Sequence, residues 1–278
     1  MPKQPPALTA REFRQIQSVV THALQGVDRI TRGRQRRVAI ERKLDGSEVT
    51  GADRAAERHL RAVLGQHWPA DTILGEEYGG TLALSGRSWL IDPIDGTASY
   101  VLGLGTFGTL IALLIDGVPV YGCIHLAAMD ETTYAAVGHG CWLRQGRSRP
   151  RPVHVGAPRR YGQADVGLTS YKETDLGNPK GPWRLSKLLP EVGRVRLVGD
   201  CVQYALLCRG ELDGALDPRM SAWDVGALLV CVREAGGYVA DFTGRAQNLL
   251  TADTFMAASS KALIKRMSNA LTPSNPQF

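Results

Sequence analysis

Residues 109–115, Thr-Leu-Ile-Ala-Leu-Leu-Ile, and residues 118–124, Val-Pro-Val-Tyr-Gly-Cys-Ile, are separated only by Asp116-Gly117. Two apolar runs so joined specify a β-hairpin, because Asp-Gly accepts the positive φ angles of the tight turns that match strand twist. Short strands are predicted over 72–74 and 88–91, and a further one over 132–137 extends the hairpin into a sheet. Upstream, Phe13, Ile16, Val19, Ala23, Val27 and Ile30 recur at three- and four-residue steps, the apolar stripe of a first helix. Thr50-x-x-Asp53 reads as an N-cap with an acid in the first turn, opening a second helix whose buried stripe is Ala56, Leu60, Val63 and Leu64. Trp68-Pro69 ends it.

Beyond an Arg- and Pro-rich stretch over 147–160 the pattern changes. Strand-like pieces at 166–169, 195–198 and 214–216 alternate with helical runs at 185–189, 202–209 and 225–235, the last closed by Gly236-Gly237. Strands over 238–241 and 255–258 and a terminal helix up to Leu271 complete the unit. The expected division is an N-terminal α+β half over 8–146, a C-terminal α/β half over 147–271, and a disordered Pro- and Asn-containing tail over 272–278.

At 278 residues with 44% hydrophobic content, the chain can bury a sizeable core. It contains no apolar stretch of the roughly 18 to 20 residues that a membrane span needs, and its Met-Pro-Lys-Gln-Pro-Pro opening has no apolar h-region, so a cytoplasmic location is expected. The five cysteines form no C-x-x-C and sit in apolar runs, as buried thiols of a reducing compartment do. The net charge of +6 comes largely from basic clusters, Arg29 to Lys43 and Arg144 to Arg151, without interleaved aromatics. They fit solvated loops that steer a small anion better than a nucleic-acid surface.

The chemistry concentrates in Trp89-Leu-Ile-Asp92-Pro93-Ile94-Asp95-Gly96-Thr97, an apolar strand running straight into two acids. Pro93 bends the backbone so that Asp92 and Asp95 can face one point, and Gly96 permits close approach to a ligand. Like charges this close repel unless a cation lies between them, and hard oxygen donors suit Mg2+. Either acid alone would be an ordinary solvated turn residue. Glu76-Glu77 after a short strand, and Asp224 at the start of an apolar helix, are equally ordinary singly, as an exposed turn and an N-cap. Together the three segments are much harder to dismiss. Gly103-Leu-Gly105-Thr-Phe-Gly108 spells a dinucleotide fingerprint but precedes a strand instead of a helix, and the six histidines show no metal-ligand spacing.

Gly75-Glu76-Glu77, the Trp-x-Ile-Asp-Pro-Ile-Asp-Gly-Thr segment, and Trp223-Asp224-Val225 with Glu234-Ala-Gly-Gly237 resemble the motifs of the inositol monophosphatase family of metal-dependent, lithium-sensitive phosphatases. Lys43-Leu-Asp45 and Thr50-x-x-Asp53 match as well, and the resemblance spans roughly residues 10 to 262. It implies an α/β (α+β) fold, a layered αβαβα sandwich of the inositol monophosphatase/fructose-1,6-bisphosphatase type, commonly a homodimer. Carried over, it assigns one Mg2+ to Glu76, Asp92 and the Ile94 carbonyl, and a second to Asp92, Asp95 and Asp224. Glu76, Thr97 and Asp95 take catalytic roles, Glu76 and Thr97 orienting and deprotonating the attacking water, while the N–H groups of Gly96 and Thr97 bind phosphate. Glu77, Asp53 and Lys43 fall in the outer shell, where a third, weaker Mg2+ can sit. Ala98-Ser99-Tyr100 departs from the usual residues after Asp-Gly-Thr and bears on substrate contacts only.

The segment Val198-Gly199-Asp200-Cys201-x-x-Tyr204, followed by Asp213-x-x-x-Asp217-Pro218, is similar to the histidinol-phosphate phosphatase branch. That similarity implies Gly199, Asp200 and Asp217 as substrate contacts, since a carboxylate there suits the ammonium and imidazolium of histidinol phosphate. An inositol- or sugar-phosphate phosphatase is the alternative, and a helix N-cap is the alternative role for Asp200.

Overall fold

The computed structural model describes residues 7–35, 39–42 and 48–272. Helix α1 (Ala10–Arg34) opens with a capping box in which Thr9 and Glu12 satisfy each other's backbone N–H groups. A short hairpin, β1 (Ile40–Arg42) with β2 (Glu48–Thr50), leads into α2 (Gly51–His67), capped reciprocally by Thr50 and Asp53. An eight-stranded sheet follows, built from β3 (Thr72–Gly75), β4 (Gly79–Gly80), β5 (Arg87–Asp95), β6 (Gly108–Ile115), β7 (Val118–Leu126), β8 (Glu131–Ala136), β9 (Cys141–Gln145) and β10 (Arg151–Val153). Its order is β10-β9-β8-β7-β6-β5-β3-β4, with β6 and β7 forming the predicted hairpin at its centre. The five-residue helix α3 (Thr97–Val101) connects β5 to β6. The second sheet runs β12-β11-β13-β15-β14, from β11 (Asp165–Leu168), β12 (Arg194–Leu197), β13 (Gly214–Asp217), β14 (Tyr238–Ala240) and β15 (Phe255–Ala258). Between its strands lie α4 (Leu185–Leu188), α5 (Asp200–Cys208) and α6 (Ala222–Glu234), and α7 (Lys261–Leu271) ends the fold.

Side-chain alternation sets the layers. Trp89, Ile91, Ile111 and Leu113 point to one face of the first sheet and pack on Val20, Leu24 and Leu60 of α1 and α2. Leu90, Leu110, Ala112 and Leu114 point the other way, into a core shared with α5, α6 and Phe255 and Ala257 of the second sheet. Met256 and Ala258 alternate to the second sheet's outer face, against α4 and α7. Five layers result, helix and sheet in turn, as the family resemblance implies. Residues 225–232 of α6 are all buried, which is what a helix clamped between two sheets requires. Burying each such large apolar side chain contributes about 1.5–3 kcal/mol, several times any difference in helix propensity, so packing holds α6 in place.

Two glycines let α6 approach the first sheet closely. A Cβ on Gly122 of β7 would stand 2.4 Å from the Ala227 carbonyl oxygen, and one on Gly226 would stand 2.7 Å from Leu90 Cδ1. All five cysteines are free and buried. Among the described residues no helix is long and apolar enough to cross a membrane. Of the tail expected from residue 272, Thr272 closes α7 through its N–H to the Ser268 carbonyl, and 273–278 lie outside the described residues.

Candidate active site

Strand β5 does not end regularly. Asp92 pairs with Leu110 while Asp95 pairs with Gly108, so three steps on β5 oppose two on β6. In a regular strand residues three apart face opposite ways; the extra residue of this bulge turns Asp92 and Asp95 to the same side. Thr109 Oγ1 donates to the Pro93 carbonyl at 2.8 Å and the Ile94 N–H donates to Asp92 Oδ1 at 2.9 Å, which holds the bulge. Asp224 enters from the first turn of α6, where Oδ2 accepts the Ser221 N–H at 2.7 Å. The cap residue is Ser221, so Asp224 serves the helix start and the cluster together. Asp92, Asp95 and Asp224 bring carboxylate oxygens within 4.8 Å of one another.

Burial pushes all three acids up, and their neighbours' charge adds to it: Asp95 rises to about 8 and Asp224 to about 7, while Asp92, facing Glu76, Asp95 and Asp224, also lies well above the usual carboxylate range. Buried acids that repel one another and offer only oxygen donors form a site for a hard divalent cation, and these residues fit one. Asp95 Oδ2 also accepts the Cys201 N–H at 2.5 Å, at the start of α5.

Glu76 sits on the turn after β3, its N–H bonded to the Ile91 carbonyl at 3.1 Å. It stands outside the trio, close enough for its charge to raise both Asp92 and Asp224. Thr97 Oγ1 lies 3.1 Å from Asp53 Oδ1 and 3.0 Å from the Ile94 carbonyl. One hydroxyl has one proton; given to Asp53, it leaves the Ile94 oxygen available as a ligand. Asp53 is fully buried, and that burial raises its pKa against the hydrogen bonds from Thr50 and Thr97. Glu77 is on the same turn as Glu76, with its field reaching Arg54. Lys43 lies outside the described residues.

The residues expected to contact substrate, Gly199, Asp200 and Asp217, come from the second half of the chain. Gly199 (φ 91°) is the N-cap of α5 with no side-chain capping bond, and Asp200 follows at φ 50°. The Asp200 carboxylate therefore does not act as the helix N-cap; it turns toward Ser99 Oγ, 3.4 Å away, and toward Gly96. Gly96 (φ 84°) is required twice over, because a Cβ there would meet Asp200 Oδ2 at 2.5 Å. Burial, then the nearby Asp95, lifts Asp200 to about 8. Asp217 at the end of β13 rises to about 7 through burial, with Asp200 and Glu173 adding charge.

Sequence reasoning missed the group that ties these acids together. Thr169 Oγ1 accepts the Asp200 N–H at 3.0 Å and Gln203 Nε2 at 2.9 Å, and its own proton serves Asp217. Glu57 was missed as well: fully buried on α2, it accepts the Glu77 N–H at 2.7 Å. Its i, i+4 partner Arg61 was the available signal.

A sequence model of the Inositol monophosphatase family matches residues 13–274. Over 205 residues the chain is 38% identical to a histidinol-phosphatase of Mycobacterium tuberculosis, covering 74% of this chain and 78% of the relative. A histidinol-phosphatase of Chlorobaculum parvum is 33% identical over 225 residues, 81% of this chain and 84% of the relative. Among solved structures, an IMPase of Thermotoga maritima superimposes with a TM-score of 0.80 at 26% identity, covering 92% of this chain and 96% of its own.

Proposed function

Because the chain belongs to the inositol monophosphatase family and is a phosphoric monoester hydrolase, we propose that it dephosphorylates L-histidinol phosphate with Mg2+ at the carboxylate centre. Asp92, Asp95, Asp224, Glu76 and the Ile94 carbonyl would hold two ions, with Asp53 and Glu77 beside a third. Bound there, Mg2+ supplies Lewis-acid polarisation of the phosphoryl group and makes water a competent nucleophile near neutral pH. The chain's own residues do the rest. Glu76 and Thr97 orient and deprotonate the attacking water, Thr97 held in place by Asp53, and the N–H groups of Gly96 and Thr97 receive the phosphate oxygens.

The observation that carries the substrate reading is the position of Asp200. Its carboxylate lies half-buried against the Gly96 turn, and the charged groups acting on it and on Asp217 are further acids, Asp95 and Glu173 among them. A neutral polyol leaves that charge uncompensated, whereas an ammonium or imidazolium on the leaving alcohol relieves it. Two relatives named histidinol-phosphatase support the same reading. The test is phosphate release from L-histidinol phosphate and from inositol 1-phosphate, each with Mg2+ and with EDTA. The expected result is Mg2+-dependent turnover with a preference for histidinol phosphate. Faster turnover of the polyol overturns the substrate, and undiminished turnover in EDTA overturns the metal.

A further inference from the structure

Asp53, Glu57 and Arg61 succeed one another at four-residue steps along one face of α2. The first reaches Thr97; the other two reach the turn that carries Glu76. Glu57 is fully buried, and among the described residues its carboxylate bonds to Arg61 and to backbone N–H groups of the turn. Its Oε2 accepts the Glu77 N–H at 2.7 Å, and its Oε1 accepts the Tyr78 N–H at 3.3 Å and Arg61 Nε at 2.8 Å. Arg61 then donates to the Gly79 carbonyl and, at 3.5 Å, to the Ile73 carbonyl. The ion pair thus holds N–H groups on the turn and carbonyls on both its flanks. Space for this carboxylate exists only because residue 75 has no side chain: a Cβ on Gly75 would stand 2.1 Å from Glu57 Oε1.

From this geometry we infer that Glu57, backed by Arg61, is a positioning residue for the metal centre, fixing the turn so that the Glu76 carboxylate meets the cation. The inference rests on Glu76 being a metal ligand. The three-residue turn over 76–78 joins β3 to β4, and the Glu57 carboxylate accepts two of its backbone N–H groups, those of Glu77 and Tyr78, directly beside Glu76. Removing such a group leaves the ligand present but loosely aimed. Groups that orient ligands typically contribute about ten- to a hundredfold to metal affinity.

The experiment is calorimetric titration of Mn2+ into metal-free wild type, Glu57→Gln, Gly75→Ala and Glu76→Gln, with melting temperatures in EDTA recorded alongside. Glu57→Gln is expected to weaken Mn2+ binding about ten- to a hundredfold and to raise the metal concentration for half-maximal turnover in step, with kcat at saturating metal reduced far less. Gly75→Ala, which keeps the Glu57 charge and displaces it, is expected to shift affinity in the same direction, and it decides the matter alone if Glu57→Gln does not fold. Wild-type Mn2+ affinity in Gly75→Ala and any folded Glu57→Gln overturns the proposal, even if the melting temperature falls, because that outcome describes a structural residue only. If Glu76→Gln itself binds Mn2+ like wild type, the ligand reading fails and the anchor with it. Weak binding by Glu76→Gln beside normal binding by Glu57→Gln and Gly75→Ala defeats the anchor alone.

Discussion

Asp200 occupies a left-handed backbone conformation at φ 50°, and the Thr169 hydroxyl accepts its N–H there. If it meets a cationic substrate group, Asp200→Asn should lower kcat/KM for histidinol phosphate about ten- to a hundredfold, because a charge-assisted hydrogen bond contributes roughly 1.5–3 kcal/mol. Turnover of inositol 1-phosphate should change much less; equal losses on both substrates would count against the pairing. Thr169→Val, which removes the hydroxyl between Asp200, Gln203 and Asp217, should raise KM for histidinol phosphate more than it lowers kcat. Steady-state kinetics on both substrates check the two variants together. Asp92, Asp95, Glu76 and Asp224 were legible only as a set, since each is an ordinary turn or helix-start residue singly and the three acidic segments stand out together. Thr169 was not legible, since its partner Asp200 lies 31 residues away and nothing near it in sequence marks the pairing; Glu57 offered only its i, i+4 partner Arg61, while the Glu77 N–H that it accepts lies 20 residues away.

At the scale of elements, the regular pieces were legible and the irregular ones were not. The hairpin of β6 and β7, the stripes of α1 and α2, and the Gly236-Gly237 stop after α6 all follow from periodicity and turn chemistry. Strands β1, β2, β4, β9 and β10 were not anticipated, because they are short and several are largely exposed, so they carry too little apolar alternation to register. The bulge in β5 needs the register of β6 to be seen. Nor does sequence reveal that Asp224 depends on glycines outside the site, one on another element. Gly122→Ala would set a Cβ 2.4 Å from the Ala227 carbonyl, backbone that cannot rotate away, whereas Gly226→Ala would meet chiefly the flexible end of Leu90. We expect Gly122→Ala to destabilise by about 1–3 kcal/mol and to weaken Mn2+ binding by shifting Asp224, with a smaller effect from Gly226→Ala. Urea unfolding and metal titration measure both.

Across the whole molecule, acids from β5, β13, α5 and α6 meet where the layers converge, and the metal-free fold bears their repulsion. Asp95 and Asp200 at about 8, and Asp217 and Asp224 at about 7, stand above their ordinary 3.8, so between those values the native state holds protons the unfolded chain has released. Stability in EDTA should therefore fall as pH rises from about 5 to about 8, and the gain from added Mg2+ should be largest at the upper end. Acids whose pKa is lowered, such as Asp165 and Asp241, act below this window. Melting temperatures across it provide the check, and a flat or rising EDTA curve would contradict the coupling. The five buried, unbridged thiols give the same molecule an internal clock. Cys123 lies on β7, Cys141 on β9, Cys201 and Cys208 on α5 and Cys231 on α6, so an aromatic disulfide reagent can label each only when its own layer opens. Labelling rates resolved by peptide mass would rank the layers by how often they part, and Cys201, whose N–H grips Asp95, is the thiol that a bound divalent ion should protect most.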